Sequence, residues 1–363
     1  MASSIRFDLT TPVIDDRPVF ITGNFYDWNA SADALQMEPV GPGQYVYEFP
    51  ADASLPDVLD YKYTKGGWEH VELDASAEGV PNRSLNRHEE TYRQDYVPHW
   101  SWHGQPYNPE QLPKQVGDEF HLPQLDTTRR INVLLPYDYD ADPEPGAEPK
   151  RYPVLYLHDG QNLIGDGAGY GSWHVDQKMA VLAARRQHEV ILVTIDHGEE
   201  ERIREYTVER TREGRGKGRQ YIKFIKETLK PFIDANLRTL PDPGHTGVGG
   251  SSLGGLISIY AGLMYPDVFG RLMVFSPSLW ISPKIYFDAI RFQAPVPMKV
   301  YIYGGEAESA YMVPNMQRFN ESLLRQNYGG NPIELTMSVR PEGTHEEAHW
   351  SREFPKAVEW LFY

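Results

Sequence analysis

The amino-acid sequence predicts an α/β domain with a doubly wound sheet, preceded by a small all-β, immunoglobulin-like sandwich. Residues 1–96 contain short alternating runs such as Tyr45–Phe49, separated by turns rich in Gly, Pro and Asp. Short strands at this spacing are typical of a β-sandwich. From residue 118 onward, near-continuous apolar runs such as Val154–His158 and Val190–Ile195 alternate with helical stretches. Such runs are typical of parallel strands buried on both faces of a sheet.

These patterns divide the chain into a sandwich domain at residues 1–96, a linker at residues 97–117 and an α/β domain at residues 118–363. The linker is rich in Pro and Gly and shows neither helical nor strand periodicity. Because Trp100 and Trp102 lie within it, we expect it to pack against folded structure.

The composition of the 363-residue chain excludes several classes of function. There are no cysteines, which rules out disulfides, thiol nucleophiles and cysteine-ligated metal centres. The formal net charge of −16 argues against nucleic acid or an anionic membrane as the main partner. No run approaches the ~18–20 apolar residues of a membrane span. The N-terminal sequence Met1–Asp8 lacks the pattern of a signal peptide, so we expect a cytoplasmic protein.

The segment from Gly250 to Gly254 is the most informative part of the sequence. It fits the pattern Gly-x-Ser-x-Gly with Ser252 at the centre, between a strand-like apolar run and a helical stretch. This is the context of a nucleophile elbow, a tight strand-to-helix turn that exposes a serine hydroxyl. The sequence therefore predicts Ser252 as the nucleophile and the N–H of Leu253 as an oxyanion donor. In the alternative interpretation, the hydroxyl of Ser251 only forms a hydrogen bond with the backbone of the turn.

A serine nucleophile needs a base, and the base is oriented by an acid. The expected order along such a domain is Ser, acid, His. The apolar run at residues 298–303 is followed by Glu306 and Glu308, and the last apolar run is followed by His345. We predict His345 as the base and Glu308 as the acid, with Glu306 as the alternative acid.

A second oxyanion donor is expected from the loop that follows the first apolar run of the α/β domain. Gly160 and Gln161 lie in this loop, and glycine allows a close approach of the backbone. We predict the N–H of Gly160 or Gln161 as the donor.

A zinc motif overlaps the predicted base. His345 and His349 fit the pattern His-Glu-x-x-His, which on a helix places two imidazoles on one face around a zinc ion. Such sites need a third protein ligand, usually well downstream, and only residues 350–363 follow. We therefore favour the serine site, and expect neither a metal nor another cofactor.

Several separated motifs resemble the putative esterase family, the branch of the α/β-hydrolases that includes esterase D, enterochelin esterases, and feruloyl and acetyl-xylan esterases. They span residues 118–363 in the family's order and include Val154–Asn162, Trp173–Asp176, Gly250–Gly255, Phe275–Trp280 and Gly343–Glu346. The resemblance implies an α/β-hydrolase fold and serine carboxylic-ester hydrolysis through an acyl-enzyme, with Ser252, His345 and Glu308 as the triad. It implies small-molecule or glycan-linked esters as substrates, of the acetyl, feruloyl or siderophore type.

The first domain resembles the starch-binding-like modules of carbohydrate-binding families 48 and 20. Gly23–Trp28 and Tyr61–Glu69 match two signatures of these modules. The resemblance implies that Trp28 and Trp68 stack on sugar rings and that Asn82 hydrogen-bonds to sugar hydroxyls. The alternative is a module that only caps the enzyme or shapes its cleft.

Three further side chains, Trp173, Arg202 and Trp280, are candidate substrate contacts; core packing of the tryptophans and an ion pair of Arg202 are the alternatives. The basic segment at residues 209–220 either recognises an anionic acyl group or forms a solvated loop. For the whole chain, the alternatives to an esterase are a glycan-binding protein with a vestigial hydrolase domain and an acyltransferase. The oligomeric state stays open, with a dimer as one option.

Overall fold

The computed structural model describes residues 4–143, 145–325 and 333–363. The start of the predicted N-terminal domain, and with it the start of the segment used to predict localisation, lies outside these residues. The chain forms two compact units. The first contains Met1–Leu112 with Gln177–His188, and the second contains Pro113–Asp176 with Glu189–Tyr363.

The first unit is built from short strands, as predicted. Two sheets, with strand orders β3-β4-β1-β8 and β2-β5-β7, are accompanied by the pair β6-β9. Phe7, Tyr61, Tyr63 and Trp100 are among its largest fully buried side chains. The strands are β1 (Ile5–Thr10), β2 (Phe20–Gly23), β3 (Glu38–Gly41), β4 (Gln44–Phe49), β5 (Val58–Thr64), β6 (Glu72–Leu73), β7 (Arg83–Asn86), β8 (Tyr92–Tyr96) and β9 (His99–Trp100).

The segment predicted as a linker differs from the prediction. Strand β9 lies within it and pairs antiparallel with β6. The indole N–H of Trp100 donates to Thr11 Oγ1 at 3.0 Å, and the ring is buried, so this part of the segment belongs to the first unit. A further strand begins at Lys114 in the second unit. Pro and Gly interrupt the apolar pattern of the segment, and for this reason neither strand is visible as a period in the sequence.

The remaining elements alternate between strands and helices. They are β10 (Lys114–Leu122), β11 (Thr127–Leu135), β12 (Val154–His158), α1 (Val175–Ala184), β13 (Ile191–Ile195), α2 (Arg202–Glu205), β14 (Arg210–Thr211), β15 (Gly214–Arg215), α3 (Gly218–Phe224), α4 (Lys230–Asn236), β16 (Thr246–Ser251), α5 (Leu253–Met264), β17 (Arg271–Phe275), α6 (Lys284–Arg291), β18 (Met298–Gly305), α7 (Met312–Leu324), β19 (Ile333–Arg340) and α8 (Glu347–Phe362). A single π-helical turn, Ile225–Leu229, joins α3 to α4.

The second unit contains an eight-stranded sheet in the order β10-β11-β13-β12-β16-β17-β18-β19. The six strands from β13 to β19 are parallel, which confirms the α/β prediction. At the other edge, β10 and β11 pair antiparallel, as do β11 and β13. Only residues 123–126 connect β10 to β11. So short a connection requires an antiparallel hairpin, whereas parallel neighbours need a long crossover.

The parallel arrangement positions the candidate site. The carboxyl ends of parallel strands meet at one edge of a sheet, where α/β proteins bind their ligands. The segments that follow β12, β16, β17, β18 and β19 contain all of the predicted catalytic and oxyanion residues. Within the described ranges, no helix is both long enough and apolar enough to cross a bilayer.

Candidate active site

Ser252 occupies the turn between β16 and α5, as the motif predicts. Its backbone angles are φ 57° and ψ −118°, a conformation that residues other than glycine rarely adopt. Such a conformation costs about 1–3 kcal/mol and persists only where surrounding structure enforces it. Ser251, by contrast, is the last residue of the buried strand β16. The geometry therefore places Ser252 at the apex of the elbow and Ser251 before it.

The glycines of the motif are required by close packing. A Cβ atom on Gly250 would lie 3.2 Å from Cα of Gly254, and a Cβ atom on Gly254 would lie 3.1 Å from Oδ2 of Asp159. Both distances are shorter than ordinary van der Waals contact, so a side chain at either position would push the turn away from β12.

Ser252 is tied to the segment that follows β17. Its N–H donates to the carbonyl of Phe275 at 2.9 Å, and its carbonyl accepts from the N–H of Ser278 at 3.0 Å. Its hydroxyl oxygen lies 3.1 Å from that of Ser278. Either hydroxyl can be the donor in this contact, and within the described chain the Ser252 hydroxyl forms no hydrogen bond with His345.

Glu308 and His345 form a short hydrogen bond. Nδ1 of His345 lies 2.7 Å from Oε2 of Glu308, and the exposed fractions of the two side chains are 37% and 2%. Oε1 of Glu308 accepts from the N–H of Gly305 and from the hydroxyl of Ser276, both at 2.7 Å. Glu306, the alternative acid, is exposed. With Nδ1 held by the carboxylate, Nε2 is the ring nitrogen left for proton transfer.

Ser276 and Trp350 support this hydrogen bond and were not predicted as site residues. The indole N–H of Trp350 donates to Ser276 Oγ at 2.8 Å, and Ser276 in turn donates to Glu308. The Trp350 ring also meets the imidazole of His345 edge-on, with centroids 5.0 Å apart. Ser276 lies in the segment Phe275–Trp280, which carries the family resemblance, and Trp350 follows the segment Gly343–Glu346; the resemblance was the available signal for them.

The predicted oxyanion donors begin two short helical segments. Leu253 is the first residue of α5, so its N–H has no acceptor within the helix. Gly160 begins a 3-10 turn after Asp159, which adopts a left-handed conformation at φ 60°. A Cβ atom on Gly160 would lie 2.5 Å from Oδ1 of Asp196, so only glycine fits there. Gln161 directs its side-chain carbonyl to the N–H of His197 at 2.9 Å, which holds the loop in place.

Arg202 pairs with Asp159 rather than facing open solvent. Its Nε and Nη2 donate to the two carboxylate oxygens at 2.6 Å and 2.8 Å. Although burial opposes the charged form, the hydrogen bonds and charge of Asp159 outweigh it and raise the pKa of Arg202. His158, fully buried beside this pair, hydrogen-bonds through Nδ1 to the hydroxyl of Tyr221 at 2.9 Å. Burial lowers the pKa of His158 to about 4, so the ring is neutral at pH 7.

The two predicted tryptophan contacts have opposite environments. Trp173 is 2% exposed and stacks on Phe275 with centroids 5.2 Å apart, which fits the alternative of core packing. Trp280 is 52% exposed and lines a cavity of about 560 Å³. The cavity is mainly apolar, and its lining comprises Trp280, Glu308, Ser309, Tyr311, Met312, Asn315 and His345.

The zinc interpretation does not fit the structure. His345 precedes α8, which begins at Glu347 and contains His349. The two imidazoles are therefore not on one helical face, and Nδ1 of His345 is held by Glu308. Among the residues that the structure describes, no group of three or more potential ligand side chains could hold a metal ion.

In the first unit, the structure brings Trp28 and Trp68 together. Their ring centroids are 6.2 Å apart at an interplanar angle of 40°. Trp68 is 46% exposed, Trp28 is half-buried and Asn82 is exposed. Arg83, next to Asn82, turns inward and pairs with Glu72 and Asp95, both at 2.8 Å.

Comparison with known proteins matches this site to an enzyme family. The model of the family described as "Putative esterase" matches residues 123–361. The uncharacterized protein YbbA of Bacillus subtilis is 25% identical over 248 residues, 64% of this chain and 92% of that protein. An endo-1,4-beta-xylanase/feruloyl esterase of Xylanibacter ruminicola is 27% identical over 236 residues, 64% of this chain but only 29% of that protein.

A solved structure extends the similarity in fold to nearly the whole chain. The enterobactin esterase FES of Shigella flexneri, crystallised in the presence of enterobactin, has a TM-score of 0.54 at 17% identity and covers 99% of this chain and 92% of its own. At this identity the similarity concerns the fold alone. The family match and the elbow argue for an enzyme that acts on small-molecule esters, rather than for a vestigial domain. The chain belongs to this esterase family and is a serine carboxylic-ester hydrolase.

Proposed function

We propose that Ser252, His345 and Glu308 form the catalytic triad and that the enzyme cleaves esters with an aromatic acyl group. The observation that carries the first part is the hydrogen bond between His345 and Glu308, in which the nearly buried carboxylate fixes Nδ1 and leaves Nε2 for the nucleophile. The segment from Phe275 to Ser278 supports the assignment of Ser252, because it bonds to Ser252 and also supplies Ser276 to Glu308.

In the proposed reaction, the hydroxyl of Ser252 turns from Ser278 to Nε2 of His345, which accepts its proton as the oxygen attacks the ester carbonyl. The negative charge on the tetrahedral oxygen is stabilised by the N–H of Leu253 and by that of Gly160 or Gln161. His345 then protonates the leaving alcohol, and an acyl-enzyme remains. Water, deprotonated by His345, attacks the acyl carbonyl; the bond to the Ser252 oxygen then breaks, His345 returns the proton to that oxygen, and the acid is released.

The cavity beside His345 supports an aromatic acyl group. Trp280 and Tyr311 line the cavity, and these residues are 52% and 74% exposed. Met312, which is buried, adds an apolar wall. Exposed aromatic rings stack on planar aromatic groups with offset or edge-on geometry. A volume of about 560 Å³ is within the usual range for small-molecule sites. A relative is named a feruloyl esterase, and feruloyl is an aromatic acyl group.

The test is an ester panel on wild-type enzyme and variants. Ser252→Ala should lower kcat for every ester by about 10⁴-fold or more, because no acyl-enzyme can form. Trp280→Ala and Tyr311→Ala should lower kcat/KM for methyl ferulate about tenfold and change that for ethyl acetate less than twofold. Phe287→Ala, an exposed aromatic residue outside the cavity, is the control. Turnover by Ser252→Ala close to wild type would refute the triad, and equal losses on both esters would refute the aromatic preference.

We propose, second, that the first unit binds glycans through Trp28 and Trp68. A pair of indoles, one of them half exposed, offers flat apolar surfaces that suit the apolar face of a pyranose. Titration calorimetry with β-cyclodextrin should give binding to the wild type, at least about tenfold weaker binding to Trp68→Ala, and unchanged binding to Trp280→Ala. If wild-type protein does not bind β-cyclodextrin, the proposal that these tryptophans bind glucans is wrong.

A further inference from the structure

We propose that the second unit contains a binding site for a phosphorylated small molecule with an aromatic body, separate from the ester-cleaving site. It is a cavity of about 550 Å³ whose lining includes Arg219, Lys284 and Arg291 but only one carboxylate, that of Asp288. From the sequence, the basic segment at residues 209–220, which includes Arg219, was considered only as a contact for an anionic acyl group or as a solvated loop, and the proposed esterase function does not use this cavity.

The cavity lies at the opposite end of α5 from the nucleophile. Ser252 precedes the first residue of this helix, whereas Leu263 and Met264, which line the cavity, are its last two residues. A helix of 12 residues is about 18 Å long. None of the residues around the cavity also lines the cavity beside His345. A ligand bound here would therefore not reach Ser252.

The charges of the cavity are unbalanced. Nζ of Lys284 lies 2.7 Å from Oδ2 of Asp288, so these two charges neutralise each other. Arg219 and Arg291 have no carboxylate partner within the described residues; Nη1 of Arg219 instead lies 3.9 Å from the sulfur of Met264. Two uncompensated guanidinium groups thus border one cavity in a chain whose net charge is −16. Their field favours an anionic ligand.

A basic hairpin lies in the sequence between two residues that are near this cavity. It consists of β14, β15 and the turn between them, and it carries three arginines, Arg210, Arg212 and Arg215, and one carboxylate, Glu213; the arginines lack a carboxylate partner within the described residues. Immediately before it, the carboxylate of Glu209 accepts from the hydroxyl of Tyr260, a residue of the cavity wall, at 2.9 Å. Four residues after it comes Arg219. With three arginines against one glutamate, the hairpin carries a net positive charge in the chain segment that leads to Arg219.

This chemistry points to a phosphate with an apolar body. Guanidinium groups bind phosphate oxygens in a bidentate manner, and a phosphate monoester carries a charge of about −1.5 to −2 at pH 7. The rest of the lining is largely apolar and includes Leu263, Met264, Phe292 and Pro295, with the ring of Tyr260 beside them. The cavity volume is in the usual range for small-molecule sites. An aryl phosphate matches both parts of the lining.

The experiment is titration calorimetry with phenyl phosphate, compared with inorganic phosphate, phenol and benzoate, at low and moderate ionic strength. We expect wild-type protein to bind phenyl phosphate more tightly than the other three, with affinity that falls as salt is added. Arg219→Gln combined with Arg291→Gln should weaken phenyl phosphate binding at least about tenfold. Hydrolysis of p-nitrophenyl acetate by this double variant should stay at the wild-type rate.

Two control variants test whether phenyl phosphate binding depends on this cavity. Lys114→Gln combined with Lys150→Gln removes the same amount of charge from exposed positions elsewhere in the unit and should leave phenyl phosphate binding unchanged. Ser252→Ala should also retain binding, whatever the fate of the proposed triad. Wild-type protein that binds no phenyl phosphate, or an arginine double variant that binds it as tightly as wild type, would overturn the proposal. So would phenol or benzoate binding as tightly as phenyl phosphate.

Discussion

Two buried carboxylates flank the nucleophile elbow, and they differ in the cation that each one holds. Glu308 holds the imidazole of His345, which is 37% exposed and borders the aromatic cavity. Asp159 holds the guanidinium of Arg202 in a bidentate pair and packs against Gly254 of the elbow. An imidazole can take up and release a proton at neutral pH, whereas a guanidinium stays charged.

A carboxylate–cation pair beside a nucleophile can therefore serve two purposes. The pair of Glu308 and His345 can orient a base. Asp159 directly precedes Gly160, and its pair with Arg202 stays charged at neutral pH. The pair can therefore fix the position of the predicted oxyanion donors in that loop. Arg202 is thus better described as a positioning residue than as the substrate contact considered from sequence.

The largest effect should come from Glu308. Glu308→Gln keeps the size of the side chain but removes the charge that holds the histidine tautomer, so kcat should fall by about 10³–10⁴-fold with little change in the free energy of unfolding. Steady-state kinetics on one ester measures this. The matched control is Glu306→Gln, on the same turn but exposed, which should retain activity within twofold. The assignment of Glu308 fails if Glu306→Gln is the more damaging of the two.

Replacing Arg202 should lower activity less than Glu308→Gln does, and it should lower the free energy of unfolding more. Arg202→Met leaves the buried Asp159 without its partner. Breaking a buried pair costs about 3–5 kcal/mol, and because 26% of the Arg202 side chain is exposed we expect about 2–3 kcal/mol. Urea unfolding measures this loss, and kcat/KM should fall about tenfold as the loop shifts.

The control for Arg202 is Arg204→Met, which breaks the more exposed pair with Glu201. It should cost less than about 1 kcal/mol. If Arg202→Met instead abolished activity as fully as Glu308→Gln and left stability unchanged, Arg202 would be a substrate contact, and the distinction between the two carboxylates would not hold.

The local parts of this site could be predicted from sequence, and the long-range parts could not. The elbow at Ser252 depends on the five residues of its own motif, whose glycines meet each other and β12. The choice between Glu308 and Glu306 depends on the turn after β18, where the N–H of Gly305 and the distant hydroxyl of Ser276 hold one carboxylate. No local pattern encodes the direction of that turn.

Which side chains are buried could not be predicted from the sequence either. Trp173 and Trp280 both lie in segments that carry the family resemblance, but Trp173 packs between Phe275 and Trp350, which come from distant parts of the chain, while Trp280 borders a cavity. The antiparallel edge of the sheet was missed for another reason. Lys114–Leu122 is mostly exposed, so it has no buried apolar run of the kind that indicated the parallel strands.

The smallest expected effect is the pH dependence of stability that comes from His158, the neighbour of Asp159. His345 is proposed to exchange a proton in the reaction, whereas His158 is neutral in the fold at pH 7. Because burial lowers the pKa of His158 from its ordinary value of about 6.5 to about 4, the unfolded chain takes up a proton between these values that the folded chain does not. The free energy of unfolding should therefore fall as the pH decreases from 6.5 towards 4. From pH 7 to pH 5 this contribution is about 2 kcal/mol.

Urea unfolding of wild type and His158→Gln at pH 7 and pH 5 isolates this contribution. Other groups titrate alike in both proteins, so wild type should lose about 2 kcal/mol more than the variant between the two pH values. At pH 7 the variant is itself less stable, because the hydrogen bond to Tyr221 is altered. Equal losses in both proteins would mean that folded His158 takes up its proton over the same pH range as in the unfolded chain, and the buried side of the elbow would then carry a titratable charge as well.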